Sequence, residues 1–422
     1  MYIQLSKKNI LTYGILLGIL FLYKFMNLPI MIEYRSEMVL VGNSIMLALP
    51  LLLYKDIIEI GKRYTFLKMF LIYVAFSQII ICIYSMYIYH QTLFDMFVCM
   101  GSYFILLLSM LLIIGMEKYG TFSFLRPFYI FSVLYMNLLI ANAFLANSTG
   151  LYLLASRLAA KNERVRTEAG SLFVVVMLII FWIILVGYAE FKHYVVFILG
   201  IFLEIYVEQT RIYELALFFA FLFMWICNRA NTESKFKKIV LLFLAAILFY
   251  VLGLHQEIIE SFSLDPTINP SYASSLARIN AIDYFSGYLK ANPLIGMGWV
   301  RPKNDTLALI FAGPNQTAFF DDLGFLGQIF RQGILGGVIY VIFIVRLFFV
   351  INKLPSNSKY KNLVIGILVY ILVSAISLNC FDGQRILGTA FLIAIVERIF
   401  KLETEDNIGP VKRRIVNIGK EI

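Results

Sequence analysis

Runs of about 20 mostly apolar residues, one after another, constrain this chain more than any other feature. A helix needs about that length to cross a hydrocarbon layer, and it satisfies its own backbone hydrogen bonds there. Twelve such runs occur, at roughly 10–30, 37–54, 65–89, 94–115, 124–145, 170–188, 194–209, 212–228, 236–254, 323–350, 362–378 and 385–400. The runs at 194–209 and 212–228 are so close that they form a tight helical hairpin or a broken helix. Composition agrees: 61% of residues are hydrophobic and 15% charged, where a soluble domain is about half apolar and a quarter charged. The expected fold is all-α, a polytopic integral membrane protein of about 12 transmembrane helices. Residues 1–254 hold helices 1–9, 255–322 form one large extracytoplasmic loop, 323–400 hold helices 10–12, and 401–422 are a cytoplasmic tail.

The net charge of +10 would suggest nucleic acid in a soluble protein. Here the basic residues lie between apolar runs, where they set topology, and no nucleic-acid partner is expected. Lys55, Lys62, Arg63, Lys68, Lys118, Lys192, Lys353 and Lys361 fall on one set of connections, while "HQTLF" and "NCFDGQR" on the other set are poor in positive charge. That alternation puts both ends inside. Lys7 and Lys8 precede a long apolar run without a small-residue cleavage site, which reads as a retained first span. The segment 146–169 breaks the pattern with Arg157, Lys161, Arg164 and Arg166. Either a span is mis-paired, or a cationic outer surface attracts an anionic ligand. The spacing of "LYLLASRLAAKNERV" predicts a helix lying at the interface. Cys82, Cys99, Cys227 and Cys380 form no CxxC pair, and His90, His193 and His255 are scattered. Neither a disulfide, a metal nor a cofactor is expected.

The candidate chemistry gathers in 204–331. Arg211 in "VEQTRIYELALFF" opens a span beside Glu204, Glu208 and Glu214. A charge at that depth is paired or functional, and an arginine fork suits either a glutamate one turn away or a phosphate. Arg278 sits on a helix expected to begin near Ser271, and "NPLIGMGWVRPKND" follows as turn and loop. In that stretch Gly296 and Gly298 allow close backbone approach, Trp299 suits a sugar face, as does Tyr284, and Arg301 adds charge. Asp321 and Asp322 precede the tenth span; they suit a general base and equally suit helix capping. Arg331 lies about two turns inside that span.

The order of these features, "QTR", a loop arginine, "NPLIGMGW", then an acidic segment leading into "LGQIFRQGILGG", resembles the O-antigen ligase and Wzy-type polysaccharide polymerase superfamily. The resemblance covers mainly 200–350. It implies a GT-C-like membrane glycosyltransferase in a bacterial plasma membrane, its active site facing the extracytoplasmic side. It implies that Arg211 and Arg278 hold the diphosphate of an undecaprenyl-diphosphate-linked oligosaccharide, with Arg331, Arg157 and Arg164 as further cationic contacts. Ligases of the family carry a His–Asn pair where this chain has Asp321–Asp322. That departure favours a repeat-unit polymerase with Asp322 as the base, without metal. A ligase, or a flippase for the same lipid-linked sugar, is the alternative. A chain-length regulator and a flippase are the expected protein partners.

Overall fold

A computed structural model describes residues 7–23, 28, 34–154, 157–158, 165–167, 170–228, 272–314 and 318–405. The expected ninth span, at 236–254, and Arg164 lie outside the described residues. Each of the other expected spans falls on helix: α1 (Lys7–Leu22), α2 (Arg35–Leu52), α4 (Thr65–Tyr89), α5 (Leu93–Met100) running through a tight turn at Gly101–Leu107 into α6 (Leu108–Tyr119), α7 (Thr121–Thr149), α8 (Ser171–Leu185), α9 (Phe191–Leu203), α10 (Arg211–Cys227), α13 (Gly324–Lys353), α14 (Lys361–Ser374) and α15 (Ile386–Glu405). Between them come a short amphipathic helix, α3 (Tyr54–Arg63), and two helices within the 255–322 segment, α11 (Tyr272–Ala291) and α12 (Asp305–Ala312). The fold is all-helical apart from one two-residue antiparallel ladder.

Four elements are long and apolar enough to cross a membrane alone: Thr65–Tyr89, Leu93–Tyr119, Thr121–Thr149 and Gly324–Lys353. The bent pair α2 and α3, angled at 77°, makes a fifth if counted as one span. A count of twelve therefore rests on the shorter helices. Side-chain distribution follows the same logic. Every residue of Leu108–Met116 in α6 is buried, as expected of a helix at the centre of a bundle. By contrast α4 exposes Met69, Ile72, Phe76, Ile79 and Ile83. Steps of three and four place these on one face, an apolar stripe suited to lipid and costly in water. Around α6 the bundle closes by α15 packing on α6 and α8, α10 along α14, and α13 against α4 and α14.

Two expectations resolve locally. The 194–228 region is a hairpin: Phe197 of α9 meets Phe221 of α10, ring centroids 5.4 Å apart, across a π-type turn at Glu204–Glu208. The interfacial helix predicted after residue 150 is not formed where the structure describes the chain. Gly150, in the left-handed region at φ 73°, ends α7, and Asn142 Oδ1 captures the N–H groups of Leu153 and Leu154. Arg157–Leu158 then pairs with Val165–Arg166 as the two-stranded ladder. Periodicity there loses to a helix stop and a side-chain cap.

Candidate functional site

The stretch "NPLIGMGW" is backbone that repairs a broken helix. Gly333, at φ 59° and ψ −153°, interrupts α13. Such a break strands donors and acceptors on both sides. The loop satisfies them in order. Met297 N–H donates to the Phe330 carbonyl at 2.9 Å and Gly298 N–H to that of Arg331 at 2.8 Å; Ile334 N–H donates to the Pro293 carbonyl at 3.0 Å and Leu335 N–H to that of Leu294 at 3.2 Å. Close approach requires glycine on both partners. A Cβ on Gly296 would stand 2.5 Å from the Phe330 carbonyl oxygen, and one on Gly333 would collide with the Leu294 carbonyl. Gly296 and Gly298 both take positive φ, so they serve docking of the segment.

Side chains lock the docked segment. Trp299 is 2% exposed. Its backbone N–H donates to Ser85 Oγ and its indole N–H to Gln78 Oε1. Its ring meets the Tyr103 ring edge-on at 5.8 Å. With one face also under the Arg331 guanidinium, 4.6 Å from the ring centroid, the tryptophan is a structural anchor, contrary to the expectation that it stacks on sugar. Tyr284 likewise spends its hydroxyl inside the loop, on the Ile310 carbonyl and Tyr288. Arg301 and Lys303 both bind the buried Asp95 carboxylate, at 2.9 and 2.8 Å, so Arg301 is a tether as well. A second small core (Phe285, Met297, Val300, Leu307, Phe320, Leu323 and Phe330) packs the loop helices onto this end of the bundle.

What remains open at this end is Arg331 and the one carboxylate it meets. Arg331 sits on the last turn before the break. Among the described residues its guanidinium has a single ionic contact, to Asp321 at 3.6 Å, with side-chain exposures of 18% and 52%. Aromatic rings of Trp299, Phe320 and Phe311 hold its plane, the latter two at 5.4 and 6.0 Å, while its donors are left over. Arg385 lies within electrostatic reach of the same Asp321. It is positioned by Tyr213, whose hydroxyl accepts from Nε at 2.7 Å, and by a close ion pair with Asp382. Beside Arg385 is a cavity of about 20 Å³ lined by Ser171, Tyr370, Ser374, Cys380, Gly388 and Thr389 among others, room for roughly one water.

The other predicted residues are placed apart from this pair. Asp322 is exposed next to Asp321 on a single turn at Phe320–Asp322. Neither aspartate caps α13, whose N-cap is Leu323 without a side-chain bond, so the capping reading fails. Arg211 is exposed at the start of α10, in electrostatic reach of Glu214 one turn on. Arg278 is exposed on α11 with no hydrogen bond or ion pair to the described residues. Arg157 pairs with Arg166 in the ladder. Arg166 binds the "QTR" turn, donating to the Glu208 carbonyl at 2.9 Å and to Thr210 Oγ1 at 3.0 Å. Sequence reasoning did not single out Arg385, Asp382 or Tyr213. The available signal was the i, i+3 acid–arginine spacing in "DGQR". No protein-family profile matches this chain, and no curated protein matches its sequence. No three acidic, histidine or cysteine side chains among the described residues come together as a metal site.

Proposed function

We propose that the chain is a membrane glycosyltransferase that polymerises lipid-linked oligosaccharide repeat units on the outer face of a bacterial plasma membrane. The observation that carries this reading is Arg331. Its fork keeps donors to spare, is fixed by aromatic rings and meets one half-exposed carboxylate. A planar fork binds phosphate oxygens through two parallel bonds. In the reaction, a sugar hydroxyl of one lipid-linked unit attacks the anomeric carbon of another. The bond from that carbon to the diphosphate oxygen breaks, and undecaprenyl diphosphate leaves. Arg331 stabilises the charge gathering on the diphosphate. Asp321 takes the hydroxyl proton; it replaces Asp322 in this role because Asp321 is the aspartate beside Arg331. Arg211 and Arg278 are exposed and serve the headgroup's approach.

The test is a gel of glycan chain length from cells lacking the protein, beside cells carrying Arg331→Ala at normal abundance. A single repeat unit replacing the ladder in both supports the polymerase. Long lipid-linked chains that never reach a final acceptor would make it a ligase. Absence of lipid-linked sugar from the outer face would make it a flippase. A normal ladder with Arg331→Ala would remove the arginine from the mechanism.

A further inference from the structure

The turn joining α9 to α10 contains a buried charge that the transfer reaction does not use. Glu204 is 3% exposed, and both carboxylate oxygens lack a hydrogen-bond partner among the described residues. A carboxylate so placed costs several kcal/mol unless something compensates it. Its surroundings worsen the deficit: Glu208, also buried, is one turn on, and the charges of Glu208 and Glu214 both act on it. Among the described residues Arg166 and Arg385 are committed to other oxygens, while Arg211 is exposed and reaches Glu214. Arg166 donates to the Glu208 carbonyl and the Thr210 hydroxyl, and Arg385 to Tyr213 and Asp382. A second orphan lies on the same turn. Thr167 donates its N–H to the Val207 carbonyl at 3.2 Å, and its hydroxyl is buried without a partner among the described residues. The backbone is unusual here too, a π turn followed by Gln209 at φ 53°. Conformations of that kind recur at binding sites.

Burial excludes a bulky ligand, and a divalent ion normally gathers more oxygen ligands than this turn supplies. We propose that the Glu204 turn is a binding site for one monovalent cation, a proton or Na⁺, whose charge completes the fold around "QTR". The proposal goes beyond the transfer reaction and stands independently of it. Among the described residues, the titratable and charged groups around the turn include Glu208 within it, Arg211, Tyr213 and Glu214 on α10, Tyr370 on α14, Arg385 before α15, Arg166 of the ladder, and Tyr23 after α1, which faces Glu208.

The experiment is thermal unfolding of the full chain in detergent, with ionic strength held by choline chloride. Na⁺ is varied from about 1 to about 200 mM, and pH separately from about 8 to about 5, for wild type, Glu204→Gln and Glu204→Leu. Sodium occupancy raises the wild-type Tm with Na⁺ by on the order of 2–4 °C. Proton occupancy raises it as pH falls, because the folded chain then binds more protons than the unfolded one and loses stability as pH rises. In either case both variants lose the response, since Gln mimics the neutralised site and Leu removes it. Failure of wild type to respond to either, or equal responses in wild type and whichever variant folds, overturns the proposal.

Discussion

Both ends of the bundle set arginine against carboxylate, and the two arrangements are opposite in kind. At the end away from the loop, Arg346 grips Glu397 through two bonds of 2.7 and 2.9 Å, with Phe66, Phe349 and Phe400 around the guanidinium at 4.4, 5.2 and 4.5 Å. Glu117 there collects Arg63, Arg398 and the Tyr64 hydroxyl. Arg346 and Glu397 satisfy one another, although Arg398 Nε beside Glu117 has no partner among the described residues. At the loop end, Arg331 also has an aromatic surround but meets its carboxylate singly, at 3.6 Å. A closed pair is a structural pin. An open pair keeps hydrogen-bonding capacity for something outside the chain. Residue type does not separate the two; satisfaction does.

The comparison breaks or sharpens in order of effect. Arg346→Ala leaves Glu397 buried and alone and should cost about 3–5 kcal/mol, read as a large fall in Tm or loss of folded protein from the membrane. Arg331→Ala should leave the protein folded while lowering transfer by roughly 10²–10³-fold. Equal loss of folded protein from both would erase the distinction between pin and site. Asp321→Asn should lower transfer by about 10²-fold, while Asp322→Asn stays within roughly twofold; the reverse ranking would return the base to Asp322. Gly333→Ala forces a side chain into a backbone region that only glycine occupies readily, at a cost of about 1–3 kcal/mol, and pushes on Leu294. Release of the docked segment should then appear as a red shift in the emission of Trp299. The smallest effect is expected from Lys118→Ala. Its partner Asp56 is 2.6 Å away but the two side chains are 46% and 32% exposed, so the change in stability should stay below about 1 kcal/mol.

Much of the fold is legible in the chain because membrane helices are local objects. Length, apolarity and the spacing of Met69, Ile72, Phe76, Ile79 and Ile83 need no distant partner to be read. The 151–166 region misleads because its helical spacing is overridden by Asn142, a residue on the preceding helix. The site is legible in part. "NPLIGMGW" stands out, but its role depends on Gly333, some 40 positions on, whose broken turn the loop repairs. Trp299 and Arg301 look like ligand residues by type and are committed to Gln78, Ser85 and Asp95. Arg385 is held by Tyr213, a residue 172 positions earlier, and spacing does not show that pairing.

By itself, the sequence determined that this chain is helical and apolar enough for a membrane, with its candidate charges at 204–211 and 278–331, since those properties depend on composition and short-range spacing. Only the tertiary structure decided which arginine keeps free donors, which carboxylate faces it, and which glutamate is left without a partner. The reason is that hydrogen-bond satisfaction belongs to pairs of groups far apart in the chain, and folding alone brings those pairs together.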